Sequence, residues 1–400
     1  MRLPLAFILI TTMIDSMGIG LILPVMPALL REIGAFPLAD AALWGGVLST
    51  VFAAMQFVFG PIIGALSDRY GRRPVLLISL FVMALDYLVM ALAQTMWLLF
   101  LGRVVGGITA ATQPTAGAFM ADISKPEEKA ARFGLIGAAF GVGFVIGPLI
   151  GGLLAEFGTR APFYAAAALA ALNMIFGYFV MPETVTDRTR RPFAWARANP
   201  LGAFLNVGLN PDLRRLLILF FLYQVAFFVY PSIWAYFTEE RFGWGPGMIG
   251  VSLGSFGIAI AIVQGGLIRL VLRWFGDRGT VIYGLGFNFL AFLVMAFVAN
   301  GTVALLFTPL TALGAVVTPA LQGLMSRMTA DDSQGELQGV LSSSHALAMI
   351  ISPLLMTWVF ALFARSDSAI YLPGAPFLVS MLLMVACAVV FLARPRAEAV

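Results

Sequence analysis

Gly64-Ala65-Leu66-Ser67-Asp68-Arg69-Tyr70-Gly71-Arg72-Arg73-Pro74 is a short polar stretch between two apolar runs. Each flanking run, 42–66 and 74–93, is roughly 20 residues or more, the length needed to cross about 30 Å of hydrocarbon. Gly64 and Gly71 permit close packing and a tight turn, and Pro74 suits the start of the next helix. The charges run against local preference. Asp68 falls at the carboxyl end of one helix and Arg72 and Arg73 at the amino end of the next, each the wrong sign for the helix dipole. They therefore need partners from elsewhere in the chain. Asp122 is placed to meet an arginine, and the amino end of a later run, near Leu337, is placed to receive Asp68. Gly64, Asp68, Arg69, Gly71, Arg72, Arg73 and Asp122 are read together as a conformational latch between two halves of the molecule.

The rest of the chain repeats the pattern of apolar run and polar break. Of 400 residues, 60% are hydrophobic and 11% charged, against about 25% charged in a soluble domain. Lipid is the expected solvent. Twelve spans are read, at 5–30, 42–66, 74–93, 96–121, 131–156 and 161–181, then 213–237, 247–273, 279–299, 301–327, 337–363 and 371–393. The expected architecture is an all-α membrane protein of two six-helix bundles, 1–181 and 213–400. A cytoplasmic linker at 182–212, with Arg188, Arg190, Arg191 and Arg197, joins them. After the eighth span, Arg269-Leu-Val-Leu-Arg273-Trp-Phe-Gly276-Asp277-Arg278 echoes the opening stretch, as expected of parallel repeats in transporters.

Orientation follows from the basic residues. With the amino terminus inside, the outer loops hold only Arg31, Arg160, Arg241 and Arg365, and nearly all other arginines, with Lys125 and Lys129, fall inside. That asymmetry puts both termini in the cytoplasm. The segment after Met1 is read as a retained first helix, because no small-residue cleavage site follows it. The net charge of +4 is accounted for by topology, so no nucleic-acid partner is expected. One cysteine, Cys387, and one histidine, His345, make neither a disulfide framework nor a Cys/His metal site.

Three ionised groups fall inside the hydrocarbon: Asp15, Asp86 and Arg103. A charge there costs roughly 2.5–3.5 kcal/mol on insertion scales, and such residues face a cavity or pair with one another. Asp86 lies eight residues before Gln94 and Arg103 eight after Thr95. A hairpin at Gln94-Thr95 brings them to the same depth, about 12 Å in at 1.5 Å per residue. Asp15 has no basic neighbour in sequence, which suits a site that binds and releases a proton. In the fifth span, Gly143, Gly147, Pro148 and Gly151 combine small-residue packing with a helix-bending proline, and are read as a hinge. Among polar residues within spans, Gln56, Gln113, Gln322 and Asn288 are the substrate-binding candidates. Gln224, Gln264 and Gln338 divide between cavity lining and interhelical ties, and His345 is read as a structural histidine.

These stretches resemble the major facilitator superfamily. Gly64–Pro74 matches its signature loop, Leu101-Gly102-Arg103-Val-Val-Gly106-Gly107 its span-four motif, and Gly143–Gly152 the span-five motif of its antiporter branch. Over nearly the whole length the chain resembles the tetracycline-efflux drug:proton antiporters. The carrying segments are Ile14-Asp15-Ser-Met-Gly18-Ile-Gly20, Leu85-Asp86-Tyr87, Phe237-Thr238-Glu239-Glu240-Arg241-Phe-Gly243-Trp244, and Pro319-Ala-Leu-Gln322-Gly323 with Gln338-Gly339. The resemblance implies export of a drug in exchange for protons, with Asp15, Asp86 and Arg103 at family positions tied to coupling. Two positions depart: Ile260 stands where the family has a histidine, and Asn288 where it has an acid. Coupling is then left to Asp15 and Asp86.

The function expected is secondary active export of a small amphipathic, tetracycline-like drug by alternating access, or proton-coupled transport of a metabolite. No enzyme is expected, since neither a nucleophile/base pair nor clustered metal ligands occur. No receptor is expected either, since no soluble stretch is long enough to signal. The partners are the small molecule, protons and the bilayer, with no cofactor beyond the proton gradient. The working unit is expected to be a monomer in the inner membrane.

Overall fold

The computed structural model describes residues 2–110, 112–187, 190, 193, 199–200, 211–330 and 333–393. Arg188, Arg191 and Arg197 of the expected linker lie outside these residues. The described residues form helices and turns, with no strand among them. Ten helical segments among them are long and apolar enough to cross a membrane. Large apolar side chains stand exposed along them, including Phe179, Leu306, Leu382 and Val389. Hydrocarbon tolerates that surface, and helices satisfy their own backbone groups there.

The chain divides into two compact units, Met1–Pro200 with Trp244–Gly254, and Leu201–Gly243 with Ser255–Val400. The first unit holds α1 (Arg2–Ile22), α2 (Met26–Gly34), α3 (Leu38–Tyr70), α4 (Arg72–Leu92), α5 (Met96–Thr109), α6 (Thr112–Ile123), α7 (Lys129–Leu154) and α8 (Ala161–Val180). It also takes the first residues of α11 (Pro246–Ile262). Phe7 and Ile8 of α1, Leu76 and Leu80 of α4, and Phe119 and Met120 of α6 close its core. Glycines set the spacing of α1 on α7. A Cβ at Gly147 would come within 2.5 Å of the Met17 carbonyl and 2.9 Å of the Gly20 Cα. Gly143 and Gly151 press on the α1 backbone in the same way. Gly152 faces the Pro246 carbonyl and Gly250 faces that of Pro148, so the start of α11 also packs on α7. The four residues read as a hinge thus sit in a tightly packed helix contact, and Pro148 lies within a continuous α7.

The second unit holds α9 (Pro211–Phe227), α10 (Val229–Phe242), the rest of α11, α12 (Ile268–Phe297), α13 (Gly301–Thr311), α14 (Val317–Arg327), α15 (Gln334–Ala364) and α16 (Ala375–Leu392). Its core is aromatic. Tyr230 lies 5.2 Å from Phe256, 5.7 Å from Phe292 and 5.8 Å from Phe377 between ring centroids, and Phe237 packs edge-on to Phe377 at 5.1 Å. Such contacts add about 0.5–1.5 kcal/mol each beyond the area they bury.

Three runs read as single spans are broken, each three or four residues before a proline. A proline ring removes a backbone donor and collides with the carbonyl four residues back. Pro114 follows Ala110, between α5 and α6; Pro231 follows Phe228, between α9 and α10; Pro319 follows Ala315, between α13 and α14. Helix continuity also fails within 246–297. A π-helical turn occupies Val263–Leu267, and Gly276 adopts φ 63°, ψ 179°. Gly276 is the turn that the echo of the opening stretch predicts.

Candidate functional site

Asp86 on α4 and Arg103 on α5 face one another across the turn at Thr95, whose side chain accepts from the Leu98 amide at 3.3 Å. Arg103 Nη1 lies 3.2 Å from Asp86 Oδ2. The carboxylate is 6% exposed, and its Oδ1 has no hydrogen-bond partner among the described residues. Gly102 and Gly106 form its niche: a Cβ at Gly106 would come within 2.5 Å of Oδ2, and one at Gly102 within 2.9 Å of Oδ1. The guanidinium lies over the Phe52 ring, 4.0 Å from its centroid, and 3.5 Å from Met90 Sδ. Ion pair, cation–π contact and glycine niche together offset the cost of holding the two charges out of water.

Asp15 on α1 is partly exposed. Its carboxylate lies within hydrogen-bonding range of the Gln113 carboxamide on α6, yet Gln113 Nε2 closes no well-directed hydrogen bond. Gln113 is adjacent to Pro114, so the proline break positions it. Gln56 on α3 donates to the Ala110 carbonyl at 3.4 Å, the carbonyl that the same proline displaces. Buried Tyr87 lies in electrostatic reach of Asp15, Asp86 and Arg103. Its hydroxyl abuts Gly18, where any Cβ would overlap it. Tyr87 is legible in the sequence only as part of the Leu85-Asp86-Tyr87 stretch, and its reach to Asp15 is not.

At the other end of α4 the misplaced charges find partners. Gly71 terminates α3 at φ 115°, a conformation open to glycine. Arg72 reaches Asp68 Oδ1 at 2.5 Å and Asp122 Oδ2 at 3.2 Å, and also Ser67 Oγ at 2.6 Å. Arg73 donates to the Tyr178 carbonyl at 2.6 Å. Arg69 lies over the Tyr70 ring, and a Cβ at Gly64 would meet nothing within 4 Å. The residue that sequence reading missed is Glu183, just beyond α8. Its Oε1 accepts from the Arg72 amide at 2.9 Å and its Oε2 from the Arg73 amide at 3.2 Å. It therefore supplies the negative charge that the amino end of α4 requires. The only sequence signal was an acid following Pro182 at the end of an apolar run.

In the second unit, Asp277, next to Gly276, pairs with Arg327 at the end of α14. The first unit carries the same connection, from the turn after its second long helix to the end of its broken one, with the charges reversed. Asn288 is fully buried. Its Nδ2 donates to the carbonyls of Gly284 at 2.9 Å and Gly314 at 2.8 Å, which ties α12 to the α13–α14 break, while its Oδ1 has no hydrogen-bond partner among the described residues. Gln322 on α14 is partly exposed. Gln224 on α9 pairs with His345 on α15, and its Oε1 accepts from Thr318 at 3.5 Å. No group of three or more His, Cys, Asp or Glu residues placed to hold a metal occurs among the described residues.

A helical, multi-pass membrane chain with this turn and these buried charges defines a secondary transporter. The Major Facilitator Superfamily model matches residues 8–314 and 216–400, and the chain belongs to that family. It is 42% identical over 357 residues to the tetracycline resistance protein, class C, of Escherichia coli, a match covering 89% of each chain. It is 37% identical to the class D protein of Salmonella ordonez over 94% of each chain. The fold is similar to that of the human organic anion transporter MFSD10 (TETRAN), with a TM-score of 0.72, 24% identity and coverage of 98% of this chain and 99% of that one.

Proposed function

We propose that the protein exports a tetracycline-like amphipathic drug from the cytoplasm in exchange for protons. The observation that carries this reading is the acid-lined first unit, Asp15 against Gln113 and Asp86 against Arg103, in a chain 42% identical to a tetracycline resistance protein. The chain crosses the inner membrane twelve times as two six-helix bundles, 1–181 and 213–400, with both termini inside. It works as a monomer, by alternating access. Broken α5–α6 supplies one crossing, and the turn at Gly276 divides Pro246–Phe297 into two.

Asp15 takes up and releases the transported proton, and Asp86 with Arg103 couples that event to helix movement. Gln113, Gln56 and Gln322 offer hydrogen bonds to the drug. The knot of Asp68, Arg72, Asp122 and Glu183 holds α4 to α3, α6 and the end of α8, and acts as the conformational switch. Gly143, Gly147, Pro148 and Gly151 act as the hinge, with close packing of α7 on α1 and the helix-bending proline where the unit pivots. Expression in an efflux-deficient bacterial host tests the reading. A raised tetracycline tolerance that disappears with Asp86→Asn supports it, and unchanged tolerance in the presence of well-inserted protein rejects tetracycline as substrate.

A second reading, proton-coupled transport of a metabolite, rests on Ile260 and Asn288. They replace the histidine and acid that the family resemblance led us to expect. Accumulation of a metabolite but of no drug in the same host favours it.

A further inference from the structure

We propose that Gln224, Thr318 and His345, with the Phe228 ring, form a substrate-binding subsite of the second unit, which takes an oxygen acceptor carried on a flat aromatic molecule. The proposal rests on the drug-export reading and names residues that reading does not use.

The four side chains come from separate elements. Gln224 lies on α9, Phe228 at the proline break before α10, Thr318 on α14 and His345 on α15. The break that Pro231 imposes turns the Phe228 ring towards the imidazole, edge-on, with centroids 5.2 Å apart. Gln224 Nε2 contacts His345 Nδ1, and Thr318 Oγ1 donates to Gln224 Oε1. With its oxygen accepting from Thr318, the carboxamide presents its NH2 to the imidazole. Nδ1 is then the acceptor and the ring proton sits on Nε2.

His345 is exposed, although it lies twelve residues into a 31-residue helix, which is about 16 Å from its start at 1.5 Å per residue. Its Nε2–H has no partner among the described residues. A polar side chain at membrane depth is favoured when it meets another polar group. Here Gln224 engages Nδ1 of an exposed ring that packs on Phe228, and the second ring nitrogen is left for another partner. Gln322 follows Thr318 by one turn on the same side of α14, so a second amide borders the same face. A carbonyl, enol or phenolic oxygen accepts the Nε2–H bond while the attached ring packs on Phe228.

The test uses everted vesicles carrying the full-length wild type, His345→Leu, His345→Gln or Gln224→Leu. Initial rates are measured for tetracycline, whose rings bear carbonyl, enol and phenolic oxygens, and for ethidium, an aromatic cation with no oxygen. The expected result for His345→Leu is a tetracycline KM raised about tenfold, the worth of one hydrogen bond. Its Vmax, the ethidium KM and the thermal unfolding temperature stay unchanged. His345→Gln, which keeps a donor at a similar reach, restores most of the affinity. A tetracycline KM unchanged in His345→Leu overturns the subsite. So do equal losses for both compounds together with a lowered unfolding temperature, the signature of a packing tie. Wild-type uptake of ethidium alone overturns the acceptor-bearing ligand while leaving drug export standing. Wild-type uptake of neither compound overturns drug export and the subsite with it.

Discussion

Asp86 Oδ2 lies 3.2 Å from Arg103 Nη1, while the same carboxylate's Oδ1 has no hydrogen-bond partner among the described residues. One oxygen is committed and the other is held ready in a niche walled by glycine. The pair is therefore a structural tie and a group with capacity to change partners.

Removing one member of a buried pair strands the other charge, at a cost of about 3–5 kcal/mol. Asp86→Asn is expected to lower the unfolding temperature in detergent and to abolish transport. The double variant Asp86→Leu with Arg103→Leu is expected to regain most of the stability and none of the transport. Transport by the double variant would make the pair a packing device only.

The niche gives a sharper contrast. Gly106→Ala drives a Cβ to within 2.5 Å of Asp86 Oδ2, and overpacking of this kind costs about 1–3 kcal/mol. Gly137→Ala on α7 meets nothing within 4 Å and is expected to be neutral or up to about 1 kcal/mol stabilising, from helix propensity. Transport and unfolding temperature should fall only for Gly106→Ala. Equal behaviour of the two variants would reject the niche.

Glu183 caps α4 from beyond α8. Glu183→Gln keeps the shape and loses the charge, and is expected to cost about 0.5–2 kcal/mol. Hydrogen exchange at the Arg72 and Arg73 amides should quicken before any global loosening. Unchanged exchange there would show that the carboxylate does not hold the helix end.

The reversed pairs Arg72–Asp122 and Asp277–Arg327 are partly exposed, so each contributes at most about 1 kcal/mol to stability. Their expected effect is on transport rate. Asp277→Arg is expected to slow uptake, and Asp277→Arg with Arg327→Asp to recover it. Failure of the double variant to exceed the single one would remove the pairing from the mechanism.

Much of this was written in the sequence, because hydrocarbon leaves few ways to hide a charge. The Asp86–Arg103 pair is legible from the equal distances of the two residues to the Gln94-Thr95 turn, and the Asp122 partner of an arginine from charges that run against the helix dipole. Two kinds of feature were not legible. Proline breaks at Ala110, Phe228 and Ala315 are hidden, since apolar composition runs on across them and masks the lost backbone bond. Contacts between residues far apart in the chain, such as Glu183 with Arg72 or Gln224 with His345, leave no local periodicity. The Asn288 tie to the backbone carbonyls of Gly284 and Gly314 is of the same kind, since no sequence motif announces a carbonyl partner.

The most direct measurement is tetracycline uptake into everted vesicles, with and without an inward-acid proton gradient, for wild type and Asp15→Asn. Gradient-driven accumulation is expected of wild type. None is expected of Asp15→Asn, although that variant still exchanges the drug down its own concentration gradient. Accumulation by Asp15→Asn at the wild-type rate, under the same gradient, would contradict the assignment of the transported proton to Asp15.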